Sequence, residues 1–136
     1  MNPQGQAPSE SPWGDAPTPY EQLGGESAVR HLTDAFYDRV ATDELMSAIH
    51  PEDLTESRDK LFEFLSGWLG GPQLYIQKRG HPRLRMRHMP FPIDDDAVRA
   101  WLACMQNAMD DVGVQGALRE FLSGRFEHTA WFMKNR

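Results

Sequence analysis

Apolar side chains recur at helical spacing in four long stretches of the chain, and this periodicity constrains the fold more than any other feature. The stretches cover residues 26–40, 54–69, 94–112 and 118–136, and apolar residues within each lie three or four positions apart. No stretch alternates apolar and polar residues as a half-buried strand would. The sequence therefore predicts an all-α fold of four substantial helices and several short ones, with a loop over residues 73–79.

Several helix boundaries have a local chemical cause. The Gly-Gly-Pro run at 70–72 stops the helix over residues 54–69, because glycine and proline both interrupt helical backbone. Three aspartates at 94–96 supply an N-cap and an acidic first turn, which the helix dipole favours. Within the helix over 54–69, Lys60 and Glu63 are predicted to lie off the apolar face.

The chain is long enough for one domain with a single core, since 40% of its 136 residues are hydrophobic. Residues 1–18 hold four of the ten prolines and almost no aliphatic side chains, so they cannot bury enough surface to offset their ordering entropy. We therefore expect a flexible N-terminal arm over residues 1–18 and a globular domain over residues 19–136. Within the arm, Trp13 either docks on the domain or stays exposed.

Charge and cysteine content narrow the functional class. The net charge of −6 argues against a general nucleic-acid binder, which needs a basic surface. The single cysteine, Cys104, excludes an internal disulfide and fits a reducing compartment. No apolar run approaches the length of a membrane span, and the first residues do not have the pattern of a secretory signal. These features predict a soluble, cytoplasmic protein.

The stretch over residues 80–93 is the strongest candidate for a binding site. It places histidines among closely spaced arginines, and Pro82 and Pro90 bound a short helical piece. Guanidinium groups beside an apolar wall suit a ligand that carries anionic groups on an otherwise apolar body. His88, at the last turn of this piece, could coordinate a metal held by such a ligand.

The other histidines have ordinary interpretations. We expect His81 to cap or hydrogen-bond the loop before the short helix, and His31 and His128 to face solvent. Neither an HExxH motif nor paired CxxC motifs are present, so a zinc site built from protein ligands alone is not expected.

A set of motifs identifies a family. They are Phe36-Tyr37, His50-Pro51-Glu52-Asp53-Leu54, Phe64-Leu65 with the later Gly70-Gly71-Pro72, Gly80-His81-Pro82-Arg83-Leu84-Arg85-Met86-Arg87-His88, Pro90-Phe91-Pro92-Ile93 and Trp101-Leu102-Ala103-Cys104-Met105. Together they resemble the group II truncated (two-on-two) haemoglobins over about residues 19–135. The resemblance implies a two-on-two helical sandwich around a haem.

The resemblance implies His88 as the proximal ligand of the haem iron, through a neutral imidazole nitrogen. It also implies that Arg87, together with Lys60 and Tyr75, binds the haem propionates. Arg85 is a further candidate for cofactor binding. Because the chain has no CxxCH motif, haem b would be held non-covalently. No residue is assigned a catalytic role.

Five apolar or aromatic residues are implied to contact the macrocycle and exclude water from it. They are Phe64, Leu65, Met86, Ile93 and Met105. Ordinary core packing explains each of these residues equally well on its own.

On the other side of the haem, the resemblance implies that Tyr37, His50 and Trp101 converge. Phenol and indole groups donate hydrogen bonds without bringing a charge into an apolar pocket. They favour dioxygen, which acquires negative charge on binding, over carbon monoxide by about 1 kcal/mol for each hydrogen bond. His50 departs from the phenylalanine or tyrosine more frequent in the family, which leaves the distal network open.

Two further residues would face the ligand from the helix over 54–69. Leu61 occupies a position where some relatives carry glutamine, so it removes a possible donor and shifts that task to Tyr37 and Trp101. Ser57 is small and could leave an open path for ligand entry.

These features predict a protein that binds dioxygen, carbon monoxide and nitric oxide, with a function in oxygen transport. We expect gas ligands and a reductase as partners, no nucleic acid or membrane partner, and a monomer or homodimer. Two other classes remain open: a haem enzyme for nitric oxide dioxygenation or peroxide reduction, with His50 as the candidate base, and a haem-based sensor or partner-binding module. A helical bundle without haem is a third alternative.

Overall fold

The computed structural model describes residues 16–136, which form eight helices and contain no strand. The helices are α1 (Pro19–Leu23), α2 (Glu26–Thr42), α3 (Glu44–Ala48), α4 (Thr55–Trp68), α5 (Leu74–Arg79), α6 (Leu84–His88), α7 (Asp95–Val112) and α8 (Gly116–Phe132). The predicted all-α class is confirmed, and α2, α4, α7 and α8 are the four long helices. Within the described part of the chain, no helix has the length and apolarity needed to cross a membrane. Most of the expected N-terminal arm, including Trp13, lies outside the described residues.

The core forms where α2 packs between its neighbours. Val29, Leu32, Phe36 and Val40 recur along one face of α2 and are fully buried. This face packs against α7 and α4, while α8 packs against α7, and α5 packs against α4. The helical spacing of apolar residues therefore places a single core between the long helices, as the sequence predicts.

Helix ends follow the capping chemistry read from the sequence. The carboxylate of Asp94 accepts a hydrogen bond from the Ala97 backbone N–H at 2.9 Å, so it caps the start of α7. Gly113 ends α7 with φ +80°, a left-handed conformation that glycine adopts without strain. Between α2 and α3, Asp43 ends one helix and caps the next by accepting from Met46 N at 2.8 Å.

Within residues 73–79, predicted to be a loop, Leu74–Arg79 instead form α5, so this prediction was wrong. Local sequence gave only a weak helical pattern there, but tertiary contacts stabilise the helix. Tyr75 is buried and its ring lies edge-on to Phe64 of α4, with ring centroids 6.4 Å apart. The last turn of α5 carries Lys78 and Arg79, which the negative end of a helix dipole favours.

Glu63 was predicted to lie off the apolar face of α4, yet it is 8% exposed. Its carboxylate accepts a hydrogen bond from Arg79 Nε at 2.7 Å and another from Lys78 Nζ at 3.3 Å. Burial alone would raise the pKa of Glu63, but these hydrogen bonds and charges outweigh it and lower the pKa. The buried carboxylate thus joins α4 to α5 through charged hydrogen bonds.

The apolar periodicity noted over residues 118–136 includes two residues that the structure leaves exposed. Phe121 and Phe132 are 36% and 58% exposed, whereas Leu122 is fully buried and Met133 nearly so. Each exposed phenylalanine immediately precedes a buried residue, so it is rotated by roughly 100° from the face that enters the core.

We expect Glu63→Gln to lower the free energy of unfolding by about 2 kcal/mol at pH 7, because it removes charged hydrogen bonds from a buried site. The folded-state pKa of Glu63 lies below its unfolded value, so its stabilising contribution is complete above the unfolded pKa of about 4.3 and is lost as the pH falls through the folded value. Urea unfolding at pH 7, 5, 4 and 3 should therefore show a difference between the two proteins that shrinks below about pH 4.

Glu56→Gln is the matched control, because Glu56 lies on the same helix and pairs with Lys60 at 3.7 Å across an exposed surface. Such a pair contributes less than about 1 kcal/mol. Equal stability losses in Glu56→Gln and Glu63→Gln would contradict the role assigned to the buried carboxylate.

Candidate functional site

The predicted site residues lie on seven segments of the fold. Tyr37 is on α2, His50 follows α3, and Ile93 precedes α7. The remaining residues are Ser57, Lys60, Leu61, Phe64 and Leu65 on α4, Tyr75 on α5, Arg85, Met86, Arg87 and His88 on α6, and Trp101 and Met105 on α7.

The short helix α6 begins later than the position of Pro82 suggests. Arg83 adopts φ +49°, the left-handed region, and is the only non-glycine residue of the described chain with positive φ. Its backbone N–H donates to His81 Nδ1 at 3.1 Å, so His81 has the loop-bonding role predicted for it. The helix therefore starts at Leu84 and places His88 in its last turn. The histidines expected in solvent, His31 and His128, are exposed.

The imidazole of His88 is held through one ring nitrogen. Nδ1 lies 2.6 Å from the carbonyl oxygen of Leu84, and a carbonyl only accepts, so Nδ1 carries the proton and donates it. Nε2 is then the nitrogen with an available lone pair, which suits a metal ligand. Within residues 16–136, no group of three or more His, Cys, Asp or Glu side chains could hold a metal ion.

The two arginines predicted to bind anionic groups differ in their contacts. Arg87 donates from Nε to the Pro82 carbonyl at 2.8 Å, and its two terminal nitrogens have no partner within residues 16–136. Arg85 donates from Nε to the Phe132 carbonyl and from one terminal nitrogen to the Lys134 carbonyl, both at 3.2 Å. Arg87 thus keeps its terminal nitrogens available for a ligand, while the guanidinium of Arg85 contacts the chain that follows α8.

The other predicted anion-binding residues are also engaged in protein contacts. Lys60 pairs with Glu56 at 3.7 Å on the surface of α4. The ring of Tyr75 is buried, and the guanidinium carbon of Arg79 lies 6.0 Å from the centre of that ring. A role of Lys60 or Tyr75 with a cofactor stays a prediction.

The predicted macrocycle contacts fall into two groups. Met86 is 56% exposed and Phe64 is half-buried, so both present apolar surface to a ligand. Leu65, Ile93 and Met105 are buried in the protein core. Their contact with a macrocycle stays a prediction as well.

The structure brings Tyr37, His50 and Trp101 into one aromatic cluster. The ring of Phe36 lies 5.0 Å from the ring of Tyr37 and 5.0 Å from that of Trp101. The His50 ring meets the Tyr37 ring edge-on at 5.9 Å. Phe36 is fully buried, so it fixes the spacing of the two polar rings that flank it.

The Tyr37 hydroxyl and the Trp101 indole N–H are the uncharged hydrogen-bond donors of this cluster. Burial raises the pKa of Tyr37 to about 12, and the smaller opposing effect of the Arg58 charge does not reverse the rise. The phenol is therefore protonated at neutral pH. Neither the Tyr37 hydroxyl nor the Trp101 indole N–H has a hydrogen-bond partner in the described part of the chain, so both can donate to a ligand.

His50 has one ring nitrogen fixed and one available. Its Nδ1 lies 2.8 Å from the Met46 carbonyl and must donate to it, which leaves a lone pair on Nε2. Ser57 and Leu61 are half-buried on α4, and the Ser57 hydroxyl has no hydrogen-bond partner among residues 16–136. His50 can therefore accept a hydrogen bond at Nε2.

Arg58 is a residue of this site that sequence reasoning missed. Its guanidinium carbon lies 5.9 Å from the centre of the Tyr37 ring, and its terminal nitrogens pair with Asp34 at 3.1 Å and Asp38 at 3.0 Å. The two aspartates lie one turn apart on α2, which indicates an acidic edge of that helix. Which basic residue would meet that edge depends on how α4 packs, so spacing alone could not identify it.

Comparison with known proteins gives a consistent result. Residues 18–135 match the family described as bacterial-like globin. The chain is 52% identical over 118 residues to the group 2 truncated hemoglobin YjbI of Bacillus subtilis, which covers 87% of this chain and 89% of that protein. It is 36% identical to two-on-two hemoglobin-3 of Arabidopsis thaliana, over 84% of this chain and 67% of the relative.

Solved structures agree with the sequence matches. The group II truncated hemoglobin from Bacillus anthracis superposes with a TM-score of 0.87 at 47% identity, covering 89% of this chain and 93% of that one. The truncated oxygen-avid haemoglobin from Bacillus subtilis superposes with a TM-score of 0.84 at 51% identity, covering 88% and 100%. The likeness therefore extends over nearly all of the described fold.

Proposed function

Because the chain belongs to the bacterial-like globins, and among them to the group II truncated haemoglobins, we propose that it binds dioxygen and other diatomic gases at a non-covalent haem b held by His88. Family membership implies haem and gas binding in general. The finer assignments below, of ligand, residues and partners, are our proposal. They are supported by the contacts around α6 and around the aromatic cluster.

The donor set of the chain fits haem. Haem iron accepts a neutral imidazole nitrogen, and His88 offers Nε2 because its Nδ1 donates to Leu84. Met86, Met89 and Phe91 are exposed large apolar side chains on or next to α6, the kind of surface that a macrocycle covers. The one cysteine, Cys104, is buried in α7, and the chain lacks the CxxCH motif of covalent attachment.

His88 and Arg87 have complementary parts in holding the cofactor. The hydrogen bond from Nδ1 to a carbonyl fixes the imidazole tautomer and increases the electron-donating power of Nε2. The unpaired terminal nitrogens of Arg87, one residue away, suit a propionate carboxylate. When bound, haem supplies an iron centre that coordinates diatomic gases.

In our proposal, Tyr37 and Trp101 set the preference for dioxygen. The observation that carries the proposal is that the Tyr37 hydroxyl and the Trp101 indole N–H have no hydrogen-bond partner among residues 16–136. Both groups are uncharged, and Phe36 fixes their spacing. Donors that need no reorganisation favour a ligand that gains negative charge on binding, as dioxygen does. Each hydrogen bond is worth about 1 kcal/mol in such a pocket. One structural relative is itself described as oxygen-avid, which agrees with slow release of dioxygen here.

His50, Ser57 and Leu61 complete the distal side in our proposal. His50 offers Nε2 as a hydrogen-bond acceptor, because its Nδ1 donates to the Met46 carbonyl, and its ring lies edge-on to that of Tyr37. Leu61 brings no donor, so ligand stabilisation depends on Tyr37 and Trp101. Ser57 leaves room for ligand entry from the surface of α4.

A haem held here would bind dioxygen only with ferrous iron, so we propose as the partner a reductase that would supply electrons to any iron lost to oxidation. We propose a cytoplasmic location, because the reducing conditions there suit electron supply by a reductase. They also suit a protein whose one cysteine, Cys104, is a free thiol. The oligomeric state, monomer or homodimer, stays a prediction.

Peroxide reduction is a second candidate function, favoured by the free lone pair on His50 Nε2. A base near the ligand can accept a proton from hydrogen peroxide, which assists cleavage of the O–O bond.

We expect His88→Ala to abolish stable haem uptake or to change the ferrous absorption spectrum strongly, because the only imidazole of α6 is removed. Haem retention on gel filtration and spectra of the ferric, ferrous and carbon monoxide-treated protein measure this. His128→Ala, an exposed histidine of α8, is the control. An unchanged spectrum in His88→Ala would remove the proximal assignment.

Trp101→Phe should accelerate dioxygen dissociation by roughly fivefold, which corresponds to losing about 1 kcal/mol of hydrogen bonding, and should leave haem retention unchanged. Stopped-flow mixing with dithionite measures the rate. Trp131→Phe, which alters a tryptophan of α8 outside the cluster, controls for loss of an indole. If the Trp101→Phe and unmodified proteins release dioxygen at the same rate, Trp101 is not a donor to the ligand.

The His50→Phe variant tests whether the protein reduces peroxide as well as carrying dioxygen. If His50 acts as a base, steady-state turnover of hydrogen peroxide with a reductant should exceed that of free haem and fall at least tenfold in His50→Phe. A rate equal to free haem in both proteins would reject peroxide reduction and leave the carrier function intact.

A further inference from the structure

The proximal helix α6 is not held by burial. None of its five residues is buried, although Leu84 packs against the edge of the core. A helix of one turn is unstable in water by itself, because its few hydrogen bonds do not offset the cost of nucleation. Other contacts must therefore fix the position of His88.

Asn135 makes those contacts through its side-chain amide. Nδ2 donates to the His88 carbonyl at 3.2 Å and to the Phe91 carbonyl at 3.0 Å. Oδ1 accepts from the Ile93 backbone N–H at 3.0 Å, and the Asn135 backbone N–H donates to the Ile93 carbonyl at 2.9 Å. The partners fix the orientation of the amide, because carbonyls can only accept and a backbone N–H can only donate.

The segment that carries Asn135 is itself attached at two points. Arg85 of α6 donates to the Phe132 and Lys134 carbonyls, both at 3.2 Å. Lys134 pairs with Asp95 in the first turn of α7 at 2.8 Å. Residues 132–136 thus bridge α6, the loop before α7 and the start of α7.

We infer that Asn135 is a positioning residue for the proximal histidine, an inference that rests on the proposed haem function. The backbone of His88 is held at its carbonyl by Asn135, and its imidazole is held at Nδ1 by the Leu84 carbonyl. Together with Arg85, Asn135 forms a proximal clasp, defined here as these two residues and the carbonyls they bond. The clasp sets the direction in which Nε2 of His88 faces the iron.

Two substitutions separate the contacts of Asn135. Asn135→Asp keeps the acceptor for Ile93 N–H but loses both donors and turns a carboxylate toward the His88 and Phe91 carbonyls. Asn135→Ala loses donors and acceptor together. Asn107→Ala is the control, because Asn107 is exposed on α7 and has no hydrogen-bond partner within residues 16–136.

Three measurements test the inference. The iron–histidine stretching band of the ferrous protein, read by resonance Raman, reports the bond to His88. Transfer of haem to an excess of apomyoglobin gives the rate of haem loss. Hydrogen exchange of the Arg87 and Met89 backbone amides, in protein prepared without haem, reports the order of α6 independently of the cofactor.

A positioning role predicts a shifted or broadened iron–histidine band in both Asn135 variants, and haem loss about fivefold faster, the change expected for one hydrogen bond. It also predicts about tenfold faster exchange in α6 in both, with Asn107→Ala matching the unmodified protein. If only Asn135→Ala changes, the residue acts through Ile93 and the inference is overturned. Unchanged bands and loss rates in both variants, in protein that binds haem, would overturn it while leaving the proposed function standing.

If the unmodified protein takes up no haem, the proposed function fails. Amide exchange in α6 still tests whether the proximal clasp orders that helix. Equal exchange in all four proteins would then overturn it.

Discussion

Burial of one face of α2 is the constraint on which the rest of the structure depends. Val29, Leu32, Phe36 and Val40 are fully withdrawn from solvent on that face, and one packing partner, α7, carries Trp101 of the aromatic cluster. Since Tyr37 follows Phe36 directly, the same packing that forms the core also fixes the depth of the phenol. Stability and the proposed ligand chemistry therefore depend on the same helix, and a change in the packing of α2 would alter both.

The two sides of the proposed haem site are held by different forces. The distal side is formed by rings in mutual contact around Phe36, an arrangement that close packing makes stiff. The proximal side is formed by a helix with no buried residue, which hydrogen bonds from Arg85 and Asn135 attach to the chain after α8. In the proposed site, a small displacement of His88 on the polar proximal side therefore need not disturb the closely packed rings around Phe36.

The sequence predicted the helix class and the long helices because apolar periodicity is a property of local spacing, and Asp94 and Gly113 mark boundaries through local chemistry. It failed where distant contacts decide the outcome. Residues 74–79 form a helix because Tyr75 reaches Phe64, and Glu63 is buried because Arg79 and Lys78 pair with it. The candidate site followed from motifs, but the roles of Arg58 and Asn135 depend on partners far away in the chain, which spacing does not reveal.

The bond between Asn135 and His88 joins residues 47 positions apart, so closing it carries the entropic cost of a long loop that contains α7 and α8. Packing of those two helices brings the ends of that loop together and so reduces the cost. The order of α6 therefore depends on residues far along the chain, and the position of His88 depends on how α8 ends.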